Sequence, residues 1–231
     1  MRIIGNAEKA REVKAVASGV LPSGQPVIVN ADGTVSSVVE TTSSAGSSSA
    51  SVTTYSHDIQ SAYDSSNNKV VIVFRGASNY PTAAVGTVSG TSVSFGTPVA
   101  IVSETNGDSS ICFDSSNNKI VITFDHGGSK GVAYVGTVSG TSISFGSVAE
   151  FENGGATEIY TTFDSSNNKV VIAWADGIGN TNYGKAVVGT VSGDSITFGT
   201  PVVFESQADE HIDATFDSNA NKVVIAYRRS P

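Results

Sequence analysis

The chain has 231 residues and a formal net charge of −8, from 13 Lys and Arg against 21 Asp and Glu. That length accommodates one all-β domain with a sizeable core. The acidic balance, with no basic stripe, argues against a nucleic-acid surface. No apolar run reaches the length of a membrane-spanning helix, and a single cysteine excludes an internal disulfide.

Residues 1–13 carry Arg2, Glu8, Lys9, Arg11 and Glu12 and lack the apolar centre of a secretion signal, so they read as a tail or docking segment. From Lys14 to Val29 the chain loosely echoes the later part of the third repeat described below. Both stretches run from Lys-Ala-Val through a glycine turn to Pro-Val (Pro26-Val27 against Pro201-Val202). Asn30-Ala31-Asp32-Gly33 is a strong hairpin turn between two β-branched runs. Residues 14–40 therefore read as outer strands of a sheet whose inner strands lie elsewhere. Residues 41–54 are a Ser/Thr-rich connector.

One phrase then returns four times, as Tyr63 to Phe74, Phe113 to Phe124, Phe163 to Trp174 and Phe216 to Tyr227. It consists of an apolar approach, an Asp-Ser-Ser-Asn-Asn-Lys turn (Asp-Ser-Asn-Ala-Asn-Lys in the last copy) and an unbroken apolar exit. Asp and Asn close such turns through their own backbone, and Asn tolerates positive φ. An exit that is apolar on both sides predicts a strand covered on both faces. The anchoring residues Asp64, Asp114, Asp164 and Asp217 stand 50, 50 and 53 positions apart. A second hairpin follows the first three, with Gly90, Gly140 and Gly193 at its tip.

Four strands per period of about 50 residues predict an all-β fold, a β-propeller of about four antiparallel blades. Its repeats span residues 55–104, 105–152 and 153–206, with a partial copy at 207–231. The last blade would be completed by the N-terminal strands or by a partner, removing free edges.

The loops at one end of the blades are nearly constant among copies, whereas those at the other end differ. A binding face is free to vary between blades while the scaffold repeats. The candidate ligand face is therefore Arg75, Tyr80, Asp125, His126, Lys130, Asp176, Tyr183, Asp209 and Glu210. The bland alternative is solvated loops that drift. Six residues before each anchoring aspartate stand Asp58, Asp108, Glu158 and His211. Around a central channel, three carboxylates and an imidazole would suit a hard divalent cation, Ca or Mg. The alternative is polar residues at a wet rim. Cys112 aligns with Ala62, Thr162 and Thr215 and reads as small-side-chain packing; Trp174 aligns with Phe74, Phe124 and Tyr227 and reads as core.

Catalysis is not expected. The propeller part holds only Arg75, Arg228 and Arg229, too few and too clustered for a sialidase-like site, and no nucleophile motif or phosphate loop is present. The phrases Phe-Asp-Ser-Ser-Asn-Asn-Lys-Val-Val-Ile-Ala-Trp and Val-Gly-Thr-Val-Ser-Gly-Thr-Ser-Ile-Ser-Phe-Gly, with the lead-in from Ala17 to Val35, resemble those of bacteriophage virion and tail-fibre-like proteins of marine and cyanobacterial type. The resemblance covers residues 15–227. It implies a virion-surface component, a fibre or adhesion module without catalytic residues. Its partners would be other virion proteins, further copies of itself, or a host-surface glycan. A free lectin-like propeller and a purely architectural subunit are the alternatives.

Overall fold

A computed structural model describes residues 16–21, 23, 27–37, 58–128, 130–177 and 183–229, with the side chains of 208–210 set aside. The N-terminal segments expected at residues 1–13 and 41–54 lie outside the described residues. The chain forms two compact units, Met1–Ala45 and Gly46–Pro231.

In the smaller unit, β1 (Val27–Val29) and β2 (Val35–Ser37) form the expected antiparallel hairpin. Its turn is closed by Asp32, whose Oδ1 accepts the Thr34 backbone N–H at 2.9 Å and the Thr34 hydroxyl at 2.7 Å. These bonds hold the Asp32 carboxyl below its usual pKa. Ala17 bridges Val35 on the other side.

The larger unit is all-β, built from antiparallel sheets that follow the repeats. Repeat one holds β3 (Gln60–Asp64), β4 (Lys69–Arg75), β5 (Pro81–Ser89), β6 (Ser92–Phe95) and β7 (Val99–Ala100). Repeat two holds β8 (Asn106–Asp114), β9 (Lys119–His126), β10 (Lys130–Ser139), β11 (Ser142–Phe145) and β12 (Ala149–Glu152). Repeat three adds β13 (Ala156–Asp164), β14 (Lys169–Asp176), β15 (Tyr183–Ser192) and β16 (Ser195–Phe198). Last come β17 (Val202–Asp217) and β18 (Lys222–Arg229). The expected fourth strand of each repeat is interrupted: β11 and β12 both pair with β10, as β6 and β7 pair with β5.

The repeated phrase forms the first two strands of each sheet. At its turn, Asp164 Oδ1 accepts the backbone N–H groups of Ser166 at 2.9 Å and Asn167 at 3.1 Å, while Oδ2 accepts the Asn167 side-chain amide at 2.8 Å. Asp64 and Asp114 repeat this pattern. The following asparagines, Asn68, Asn118, Asn168 and Asn221, all take positive φ, as the turn chemistry requires.

The first strands stack repeat against repeat, β3 on β8, β8 on β13 and β13 on β17. The core lies between successive sheets. Val71, Val73, Ala83 and Val85 meet Ile120, Ile122, Phe124 and Tyr134 at the first junction. Cys112, Val121, Val135 and Phe151 meet Val170, Ile172, Trp174 and Val187 at the second. Cys112 is thus a packing residue, and burial pushes its thiol far above the ordinary value. Trp174, Phe74 and Phe124 are core, as aligned.

β17 runs unbroken from the outer edge of repeat three, where it pairs β15, into repeat four, where it pairs β18. Gly154 and Gly155, which interrupt the chain before β13, have no counterpart from Val202 to His211. One expectation needs correction: the exit strand of the fourth phrase is not covered on both faces among the described residues, since Val224 is 50 % and Tyr227 41 % exposed.

Candidate functional site

The first strands of repeats two, three and four carry an irregularity near the position of the acidic column, and in repeat one Asp58 stands two residues ahead of a regular β3. In repeat three, Thr157 pairs Ala175 but Tyr160 pairs Ala173, so Glu158 and Ile159 together oppose Trp174. Repeat four shifts at the same place, between Glu210 and Asp213, and repeat two one residue earlier, between Asn106 and Ser109. Such bulges re-aim a side chain. Glu158 (φ 52°) and His211 (φ 55°) sit in them with left-handed backbone, which Asp58 (φ 54°), just ahead of β3, shares, a conformation that costs a non-glycine residue on the order of 1 kcal/mol.

Three members of the column meet in one recess of about 120 Å³, lined by Asp58, Gln60, Asp108, Ser109, Glu158, Ile159 and Tyr160. Neighbouring repeats knit its floor together. The Ser109 hydroxyl donates to the Asp58 carbonyl at 3.2 Å, and Asp108 Oδ2 accepts the Glu158 backbone N–H at 2.7 Å. His211 Nδ1 lies 3.9 Å from Glu158 Oε2 at its margin. The Tyr160 phenol is raised above its usual pKa, first by burial and then by the carboxylates of Asp213, Glu158 and Asp108, so it stays a hydrogen-bond donor.

The variable loops border the same end of the sheets, and the two sets of candidates join there. Arg75 reaches Asp58 at 2.6 Å. Asp125 is buried and its carboxyl is raised by that burial and by Asp108 nearby, while it accepts backbone N–H groups of Gly128 and Lys130. Among the described residues, Asp125 Oδ1 and Asn106 Oδ1 are buried without a hydrogen-bond partner. Asp176 in repeat three, which aligns with His126, meets Lys185 at 2.8 Å, and Lys185 also reaches Glu152 at 2.9 Å. Burial opposes the charge of Lys185, but the two carboxylates outweigh it and raise its pKa.

Several variable residues are thus engaged within the protein. His126 lies 2.7 Å from Glu104, and Lys130 pairs with Glu150. Tyr80 is half-buried, its carbonyl accepting from Gly76 N–H and from the Thr82 hydroxyl. Tyr183 begins β15, opposite Ala208. Asp209 and Glu210 lie in β17 and their side chains are outside the described residues. No group of three or more His, Cys, Asp or Glu among the described residues is arranged to hold a metal ion. The column lines one recess, but Asp58 turns to Arg75 and Asp108 to the Glu158 backbone.

Residue comparison between copies identifies the column and misses Gln60, Ser109, Ile159 and Tyr160, which complete the recess. They stand one or two positions after it, where the copies hold unlike residues (Gln60, Ser110, Tyr160 and Asp213 share one position). Only the tertiary structure places them.

No protein-family model matches the chain, and no curated protein matches it. Among solved structures, the SapL1 lectin in complex with alpha methyl fucoside is similar, with a TM-score of 0.48 and 15 % identity over 74 % of this chain. The chain spans 56 % of the length of that lectin chain. A likeness of that strength does not bear on what this chain binds.

Proposed function

We propose that this chain is a non-catalytic binding protein whose larger unit is a β-propeller and whose recess takes a polyhydroxylated ligand, a saccharide. The observation that carries the reading is the composition of the recess. Carboxylates and an amide (Asp58, Asp108, Glu158, Gln60) accept hydroxyl donors, the Tyr160 phenol and Ser109 hydroxyl add mixed donors and acceptors, and Ile159 with the Tyr160 ring forms an apolar wall. A few converging polar groups beside an apolar surface is the usual make-up of a small-molecule site. The propeller reading is supported by the 50-residue register and by the stacking of first strands repeat on repeat.

Calorimetry with a panel of neutral mono- and disaccharides tests the site. One of them binds the full chain, and Tyr160→Ala and Asp108→Asn each weaken it roughly tenfold or more, the scale of a lost anchoring contact. Absence of binding by every sugar, or binding that both variants leave untouched, sinks the reading. The repeat resemblance adds a place of work, the surface of a virion; the protein present at fixed stoichiometry in purified particles supports that, and its absence from them refutes it.

A further inference from the structure

Three glycines hold the same place after the outer hairpin of repeats one, two and three. Gly96, Gly146 and Gly199 each donate their N–H to the third strand, to Val85, Val135 and Val188 carbonyls at 2.9, 2.9 and 3.0 Å. None has left-handed φ, so backbone conformation does not demand glycine. Close approach does, at two of them. A Cβ on Gly96 would stand 2.0 Å from the Thr141 carbonyl oxygen, and one on Gly146 would stand 1.8 Å from that of Asp194. Thr141 and Asp194 are the tips of the outer hairpins of the next repeat. At Gly199 the nearest atom is its own bonding partner, the Val188 oxygen, at 3.8 Å.

The residues around Gly199 repeat this contrast. Val85 and Val135 are 1 % and 0 % exposed, packed in the clusters that hold Val138 with Ile143 and Val191 with Ile196 of the following hairpins. Val188, in the same position, is 49 % exposed. Asp194 at the tip of repeat three also holds Lys119 at 2.7 Å and the Thr137 hydroxyl at 2.8 Å on repeat two. The corresponding Lys169 reaches only its own Thr190, at 2.8 Å, among these partners. Beside them β18 pairs with β17 alone among the described strands.

We propose that Gly199, Val188, Lys169 and the free edge of β18 form a socket for a β-hairpin, and that the occupant is the β1–β2 hairpin of a second copy of the chain. That hairpin is polar at its tip, where Asp32 offers Lys169 the carboxylate that Asp194 offers Lys119. Its flanks leave Val16, Val20, Ile28 and Val29 between 53 % and 89 % exposed, apolar surface suited to Val188 and Val224. Among the described strands β1 pairs with β2 and β18 with β17. Donation from one copy to the next is head-to-tail, so it builds a ring or a filament.

Light scattering on the full chain across a concentration series is the test. The native chain shows a mass that rises with concentration. Gly199→Leu fills the socket, where among the described residues a Cβ meets nothing nearer than 3.8 Å, and Ile28→Asp with Val29→Asp spoils the donor; each variant alone is monomeric. Mixing the two restores a 1:1 dimer, because each retains the half the other lost. A second pair guards against misfolding: Lys169→Glu weakens association roughly tenfold or more, the scale of a lost ion pair at a buried edge, and mixing it with Asp32→Lys restores it. A native chain that stays monomeric while its β18 amides resist hydrogen exchange would mean that the socket is filled within the chain, and overturns the second-copy assignment. Association unchanged by Gly199→Leu, or a mixture that stays monomeric, overturns the socket.

Discussion

Repeats three and four spell nearly the same phrase and end in different environments. Val170, Ile172 and Trp174 are fully buried, and Trp174 meets the Phe151 ring edge-on at a centroid distance of 5.0 Å. In repeat four, Val224 and Tyr227 stand half in water, and Tyr227 tilts against Phe204 at 5.3 Å. The hairpin forms in both because Asp and Asn close its turn locally. Burial comes from the neighbouring sheet, and among the described strands repeat four packs on repeat three alone. A strand's apolar spelling thus states what it can bury, while the adjacent repeat decides what it does bury.

The largest effect separates the two copies at their aromatic position. Trp174→Ala should cost about 3–5 kcal/mol of unfolding free energy, from lost burial and the cavity left behind, whereas Tyr227→Ala should cost less than about 1 kcal/mol, as surface changes do. Denaturant midpoints measured on both variants check this; equal costs would mean that repeat four is covered in solution.

A smaller difference lies in the turns. Hydrogen bonds from Asn167 and Ser166 hold the Asp164 carboxyl down at about 2. A carboxyl depressed on folding contributes stability that is complete above its ordinary value near 3.8 and fades as the pH falls through about 2. Asp164→Ala should therefore lower the melting temperature at neutral pH and lose that effect toward pH 2. A difference that is flat with pH would show that the charge of Asp164 is irrelevant to its turn.

The smallest test sharpens the same comparison. Asp217 accepts the backbone N–H groups of Asn219 and Ala220, but Ala220 has no side-chain amide to add. Ala220→Asn should supply the bond that Asn167 makes in repeat three and raise stability by about 0.5 kcal/mol, readable as a shift of the denaturant midpoint. A loss of stability would show that the fourth turn differs in geometry from the other three.

Much of this was legible in the chain as written. The spacing of Asp64, Asp114, Asp164 and Asp217 reports the repeat, and each Asp-Ser-Ser-Asn-Asn-Lys turn carries its own closing bonds, so local chemistry alone is enough to place the hairpins. Asp58, Asp108, Glu158 and His211 were legible as a column because the copies can be laid on one another. Their common recess was not, since it depends on bulges whose extra residue leaves no mark in a period-two pattern. Nor was the continuity of β17, where the missing glycines mattered more than any residue present.

What the sequence determined by itself is therefore the unit: its strands, its turns and the apolar faces each copy offers, all of which follow from interactions within about 50 residues. The tertiary structure alone decided which faces meet and which stay open. It set the left-handed backbone that turns Asp58 and Glu158 into the recess, the pairing of Arg75 with Asp58, and the empty space at Gly199 where Gly96 and Gly146 are pressed by a neighbour. Those features depend on the placement of one repeat against the next, and identical phrases cannot encode a difference between neighbours that are present and neighbours that are not.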